Sequence, residues 1–218
     1  MKYKTYTSAL FFIAYSSIAL SQNNPTGVFS ITLNDSDNKP VNDGVFLFEP
    51  QFEVNEHQMP QPQAVVMNQI DKQFVPHVLV VKAGTEVTFP NADNLFHHVY
   101  SFSPTKQFEL KLYKEFTAKP LRFDTPGVVD IGCNIHDWML GYIVVSDSPY
   151  FGKTDSEGKS LISLPHGEYT VRFWHPQVED EKAFPSKSIS VNADTEVTWT
   201  LSTIMVSEDE FDSGFGDY

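Results

Sequence analysis

The chain has 218 residues, with 28 Asp and Glu against 15 Lys and Arg and a formal net charge of −13. So acidic a protein repels phosphate, which argues against nucleic acid or an anionic membrane surface as a partner. Its single cysteine, Cys133, excludes an internal disulfide and leaves intermolecular pairing, a free thiol or a metal ligand.

At the N-terminus, Lys2 and Lys4 precede an apolar run, Ala9–Leu20, broken only by Ser16 and Ser17. Ala19-Leu20-Ser21 then places small residues where a signal peptidase reads, so residues 1–21 are expected to be a cleavable signal peptide with Gln22 as the mature start. The run is too short to span a bilayer comfortably, and no later segment approaches that length. A retained anchor is the alternative, and export to a bacterial periplasm is the expected location. In such an oxidising compartment an unprotected thiolate is oxidised, and metal ligation in an apolar shell prevents that.

Downstream, no long stretch has helical periodicity. Short β-rich runs separated by Gly, Pro, Asn and Asp predict an all-β protein of sandwich architecture. In chain order the predicted strands are Val28–Leu33, Val45–Glu49, Val78–Val81, Glu86–Pro90, His97–Phe102, Leu121–Phe123, Val128–Cys133, Tyr142–Val145, Ser160–Leu164, Tyr169–Trp174, Ser188–Val191 and Glu196–Leu201. Gln51–Gln63 reads as a linker, and Leu110–Thr117, which alternates poorly, as a loop or short helix. The last stretch, 207–218, is acidic and contains Gly, and is expected to be a disordered tail.

The chemistry concentrates in Cys133-Asn134-Ile135-His136-Asp137-Trp138-Met139, where a thiolate, an imidazole and a thioether recur every third residue. Val129, Ile131 and Cys133 share one face of a strand, and that face is apolar and therefore inward. A turn after Cys133 can bring His136 and Met139 back to the same point, with Gly141 allowing a tight exit into the next strand. A further imidazole lies at His97 or His98. Two His, one Cys and a weak axial Met form the ligand set of a mononuclear blue-copper site. Each residue alone has a bland reading as core or loop; their joint spacing favours copper. His57, His77, His166 and His175 read as structural or solvated.

Two resemblances sharpen this reading. Phe74-Val-Pro-His-Val-Leu-Val-Val-Lys-Ala-Gly-Thr-Glu-Val-Thr-Phe-Pro-Asn91 resembles the opening of cupredoxins, and Thr125-Pro-Gly-Val-Val-Asp-Ile-Gly-Cys133 resembles their cysteine-bearing strand. The Cys133-x-x-His136-x-x-Met139 loop is similar to that of amicyanin-type proteins. The resemblance implies a type 1 copper ion held by His97, Cys133, His136 and Met139. The "H-x-V" pattern selects His97 over His98, because Val99 follows it and shares its face. In that pattern an Asn after the ligand braces the loop; His98 stands there in this chain, a departure that leaves the bracing open, although an imidazole N–H could supply it. His136 is expected on the loop as the electron port, with Phe96 and Trp138 as an apolar rim. Separately, the polar turns Asp35–Val41 and Thr154–Gly158, with Leu164-Pro-His-Gly-Glu-Tyr169, resemble the carboxypeptidase regulatory-like (prealbumin-like) β-sandwich. That pattern is split by about a hundred residues, which places 26–50 and 149–203 in one discontinuous sandwich with a cupredoxin at 63–147. A tandem arrangement is the alternative. The combination resembles periplasmic proteins labelled methylamine utilisation proteins.

The function this implies is one-electron transfer between redox partners such as a c-type cytochrome or a dehydrogenase. A copper-delivery protein with the metal as cargo, or a non-metal β-sandwich scaffold, are the alternatives. An enzyme is not expected: the chain has no His-x-His pair for a multicopper oxidase, no second cysteine for a dinuclear copper site and no Gly-x-Ser-x-Gly nucleophile motif.

Overall fold

The computed structural model describes residues 25–54, 63–114, 119–178 and 186–201. The expected signal peptide, the acidic tail, His57 and most of the expected linker lie outside them. All regular structure among the described residues is β-strand, and no helix there is long and apolar enough to cross a membrane.

Strands from the two ends of the chain enclose one core. β1 (Thr26–Asn34) lies between β14 (Lys159–Pro165), antiparallel, and β17 (Thr195–Thr200), parallel. The facing sheet runs β13 (Tyr150–Lys153), β2 (Val45–Pro50), β15 (Gly167–Trp174) and β16 (Lys187–Val191), with antiparallel neighbours throughout. Alternation along β1 sends Phe29, Ile31 and Leu33 inward, where they meet Phe46, Phe48, Leu164, Tyr169 and Val171. Two aspartates shape the turns that carry the chain between these strands. Asp35 Oδ1 accepts the Asp37 and Lys39 amides, both at 2.8 Å, and Asp155 Oδ1 accepts those of Glu157 and Lys159, both at 2.9 Å. Gly158 completes the second turn at φ +70, where a Cβ would collide with the Leu33 carbonyl oxygen.

The intervening segment encloses a second core. Its larger sheet has the order β6 (Val78–Lys82), β12 (His136–Ser146), β11 (Gly127–Cys133), β8 (His97–Ser101) and β9 (Phe108–Tyr113), with only the β6–β12 pair parallel. Opposite lies β10 (Leu121–Phe123), β7 (Thr85–Thr88) and β3 (Val65–Val66). A hairpin of β4 (Asn68–Ile70) and β5 (Gln73–Val75) turns through Asp71 (φ 53) and Lys72 (φ 59). Two consecutive positive φ values make this the type I′ geometry that suits strand twist. Met67, Phe74, Phe89, Val99, Phe123, Val129, Ile131 and Ile143 fill the interior with Cys133 and Met139.

The two sandwiches pack sheet against sheet. Val45 and Leu47 of β2 meet Val78 of β6 and Val144 of β12, with Tyr142, Phe151 and Trp174 closing the contact. This explains two uninterrupted apolar runs, Val45-Phe-Leu-Phe48 and Ile143-Val-Val145: both strands are buried on both faces, so alternation disappears. A polar cluster caps one edge. Asp43 binds Lys153 Nζ at 2.5 Å and His77 Nδ1 at 3.4 Å, and His77 packs edge-on against Tyr142. Burial pushes the Asp43 carboxyl up, but the hydrogen bonds from His77 and Lys153 outweigh it and hold it below its usual range.

Three local expectations are corrected. Leu110–Tyr113 is strand, not loop or helix. β9 carries one extra residue between the partners of His97 and Val99, and this bulge breaks the alternation on which sequence reading depends. The strand expected from Tyr142 begins six residues earlier, at His136, so His136 lies at a strand start instead of on a loop. Gly141 makes no turn. It sits inside β12 opposite Ile131, and its missing side chain makes room for the Phe74 ring.

Candidate metal centre

Cys133 ends β11, and its neighbours on that face, Val129 and Ile131, are fully buried. Asn134 and Ile135 then reverse the chain, so that Cys133 pairs with His136. The next paired residues are Gly132 and Leu140. Asp137, Trp138 and Met139 therefore bulge from β12, and the bulge re-aims both ends of the segment. His136 is left beside the cysteine, while Met139 rejoins the inward face of Ile143 and Val145 and is 2% exposed within the same core as Cys133. From β8, His97 enters fully buried, on the face of Val99.

Three ligand atoms converge. Cys133 Sγ is 3.6 Å from His97 Nδ1 and 3.7 Å from His136 Nδ1, and all three atoms lie within 4.8 Å of one another. A metal ion at the centre of a trigonal N₂S set, with bonds of roughly 2.0 and 2.3 Å, would hold sulfur and nitrogen about 3.7 Å apart. The observed spacing matches that arrangement. At 3.6 and 3.7 Å the sulfur–nitrogen contacts make weak hydrogen bonds at best, because a thiol is both a poor donor and a poor acceptor. His97 adds a further constraint. Its Nε2 lies 2.8 Å from Asp93 Oδ2, an acceptor-only carboxylate, so in the neutral ring Nε2 carries the proton and Nδ1 presents a lone pair to the sulfur. A soft, thiophilic cation resolves this convergence, and the donor set fits copper.

The surroundings grade from sealed to open. Behind His97, Tyr113 donates its hydroxyl to the Phe89 carbonyl at 2.8 Å and accepts from Gln69 Nε2 at 2.5 Å. Burial pushes the Tyr113 hydroxyl up to about 12; the Gln69 contact opposes this and the Cys133 charge adds to it. In front, His136 is half-buried beneath Trp138, their rings 5.4 Å apart, and Trp138 is 68% exposed. Leu95, Phe96 and Ile135 are also exposed. Burial, His97 and Lys72 push the His136 imidazole below its ordinary value, against an opposing pull from Asp93. That direction favours the neutral ring that a metal ligand requires.

His98 points elsewhere. Its Nε2 pairs with Glu109 at 2.9 Å on the outer sheet face, and the Asn134 amide bonds to its backbone carbonyl at 3.1 Å. The turn is braced by the backbone of residue 98, not by its ring. His77 pairs with Asp43, His166 starts β15's approach with its amide bonded to the Pro25 carbonyl, and His175 is buried in a structural role. Sequence reading missed Asp93, whose only signal was an acidic residue four positions before His97.

No protein-family model matches the chain, and no curated protein sequence matches it. Among solved structures, part of the chain is similar to a reduced amicyanin variant, at 24% identity over 46% of this chain and 97% of that one, with a TM-score of 0.35. A pseudoazurin from Sinorhizobium meliloti is 24% identical over 38% of this chain and 73% of its own, with a TM-score of 0.33. A copper-containing nitrite reductase from Thermus scotoductus is 24% identical over 44% of this chain and 25% of its own, with a TM-score of 0.36. The architecture of this chain is all-β, and the structures it partly resembles are cupredoxins.

Proposed function

We propose that the chain is a type 1 (blue) copper protein that carries single electrons between redox partners in the periplasm. The observation that carries this reading is the convergence of two imidazole Nδ1 atoms on one buried sulfur, at 3.6 and 3.7 Å. His97, Cys133 and His136 would hold the ion, with Met139 as a weaker fourth donor. Copper bound there supplies a one-electron couple. The protein supplies His97, Cys133 and His136 from paired positions of β8, β11 and β12, and Met139 from the bulge that follows His136. A ligand set held in one geometry resists rearrangement when the charge changes, and this favours fast electron exchange. His97 is sealed from solvent, whereas His136 reaches the surface beneath exposed Trp138. Electrons would therefore enter and leave at His136, with Leu95, Phe96, Ile135 and Trp138 excluding water from the contact. A c-type cytochrome or a dehydrogenase is the proposed class of partner.

Adding Cu(II) to the metal-free protein should produce an intense thiolate-to-copper absorption band, absent in Cys133→Ser. A colourless complex that exchanges Cu(I) rapidly would indicate delivery of copper as cargo, and no binding would leave a scaffold role.

A further inference from the structure

The β4–β5 hairpin does more than cover one end of the second sandwich. At its tip, the Asp71 amide donates to Asp93 Oδ1 at 2.7 Å and the Lys72 amide donates to Asp93 Oδ2 at 2.9 Å. Oδ2 also receives His97 Nε2–H at 2.8 Å. The two positive-φ residues of the type I′ turn are what point both amides the same way. The carboxylate is anchored from its own backbone as well. The Asp93 amide donates to Asn91 Oδ1 at 3.0 Å, and Asn91 Nδ2 donates to the Leu95 and Tyr113 carbonyls at 2.8 and 2.9 Å. Hydrogen bonds therefore run from the hairpin tip to the buried imidazole through a single side chain, which is 11% exposed.

We propose that Asp93, clasped by the Asp71–Lys72 turn, is a positioning residue that fixes the tautomer and orientation of His97 and biases the metal site toward its oxidised state. The second half of this statement rests on the copper reading; the first does not.

The chemistry requires a carboxylate. Three donors face two oxygens, and a carboxylate is acceptor-only with about four lone-pair sites, so it accommodates all three. An Asn at this position presents one NH₂ group. Turned toward Oδ1's place, it opposes the Asp71 amide; turned toward Oδ2's place, it opposes both the Lys72 amide and His97. With Nε2–H held, Nδ1 is the free donor of His97, and it faces Cys133 Sγ. Hydrogen bonding to an anion also raises the donor strength of the ring toward a cation. A fixed negative charge one imidazole away stabilises the more highly charged of two metal oxidation states. Outer-sphere partners of this kind change metal affinity by about 10–100-fold.

The test uses two readouts on the full chain. In the metal-free protein, nitrogen NMR should show His97 locked as the Nε2–H tautomer with slow exchange, and Asp93→Ala should show mixed tautomers and rapid exchange. In the copper-loaded protein, Asp93→Ala and Asp93→Asn should each lower the ratio of Cu(II) to Cu(I) affinity about tenfold, which raises a one-electron potential by about 59 mV. Asp93→Asn carries both readouts if the alanine variant does not fold. An unchanged tautomer together with an unchanged potential would overturn the proposal. If the parent protein gives no copper–thiolate band, the copper reading fails and the tautomer measurement still decides the role of Asp93. A blue parent with indifferent Asp93 variants sinks this inference alone.

Discussion

Gly141 offers the sharpest test of how the second sandwich is packed. An ideal Cβ at this position would lie 2.9 Å from Phe74 Cβ, 3.0 Å from Cδ2 and 3.1 Å from Cγ. Phe74 is 2% exposed and is held on β5, whose hairpin is tied to Asp93, so it has little freedom to yield. Replacing a mid-strand glycine with alanine ordinarily gains roughly 0.5–1 kcal/mol. Overpacking a filled core costs about 1–3 kcal/mol, and contacts this short fall in the range where something must shift. Gly141→Ala is therefore expected to destabilise by about 1–2 kcal/mol. With a urea slope of about 2 kcal/mol/M, that is a fall of about 0.5–1 M in the unfolding midpoint at unchanged slope. Phe74→Ala should cost about 3–5 kcal/mol by opening a cavity. In the double variant the Cγ and Cδ2 contacts are gone and the remaining Cβ contact is to a residue no longer anchored by its ring, so the pair should be at least about 0.5 kcal/mol less damaging than the sum. Had the glycine been needed for backbone freedom in a turn, removing the ring would not relieve the alanine. Strict additivity, or an alanine variant as stable as the parent, would falsify the packing argument.

Three further outcomes are expected. Thr154 is fully buried; its hydroxyl accepts from the Gly44 amide at 2.8 Å and donates to the Val41 carbonyl at 2.7 Å, so Thr154→Val should cost about 1–3 kcal/mol in urea unfolding. A change near zero would mean that other groups satisfy both partners. His98→Ala should keep the copper–thiolate band, losing a pair with half-exposed Glu109, worth about 0–1 kcal/mol, and an edge-on contact with Tyr100, whereas His97→Ala should abolish the band; the reverse pattern would exchange the two assignments. His175 donates Nε2–H to the Asn42 carbonyl at 3.0 Å and accepts the Gln177 amide on Nδ1 at 3.1 Å, which only a neutral ring can do. Burial pushes this imidazole below its ordinary value, helped by His77 and opposed by the Asn42 carbonyl and Asp43. Its folded pKa therefore lies below the unfolded value of about 6.5, so its contribution is complete above that pH and is lost as pH falls through the folded value. His175→Gln should flatten the dependence of the urea midpoint on pH below about 6.5, and an unaltered slope would count against the burial argument.

Much of the fold was legible because alternation survives wherever a strand has one buried face. β1, β14 and β15 show it plainly, with every second residue inward. The failures occur where a second constraint overrides the period. β9 was hidden by its bulge opposite His97 and Val99. The hairpin of β4 and β5 was hidden by its shortness, since three-residue strands carry too few apolar residues to show a pattern. Gly141 was misread because a glycine near a turn motif and a glycine that admits a neighbouring ring look the same in sequence. Phe74, the residue that requires it, lies far away along the chain.

The site was legible to a different depth at each residue. Cys133 and His97 followed from period-two alternation, because both sit on regular strands beside apolar partners. The geometry that joins His136 and Met139 to them did not follow, since it depends on a tight turn and a three-residue bulge that no local pattern specifies. Asp93 was illegible for a further reason. The role proposed for it depends on the Asp71–Lys72 turn, 22 and 21 residues upstream, closing over it in three dimensions, and neither segment alone indicates the other. What the sequence shows of such a site is thus the donor set, which composition and spacing can carry. The parts that set its chemistry are held by hydrogen bonds between distant segments. If the site holds copper, as proposed, substituting Asp93, which reaches the metal site only through His97, should therefore move the reduction potential without removing the ion.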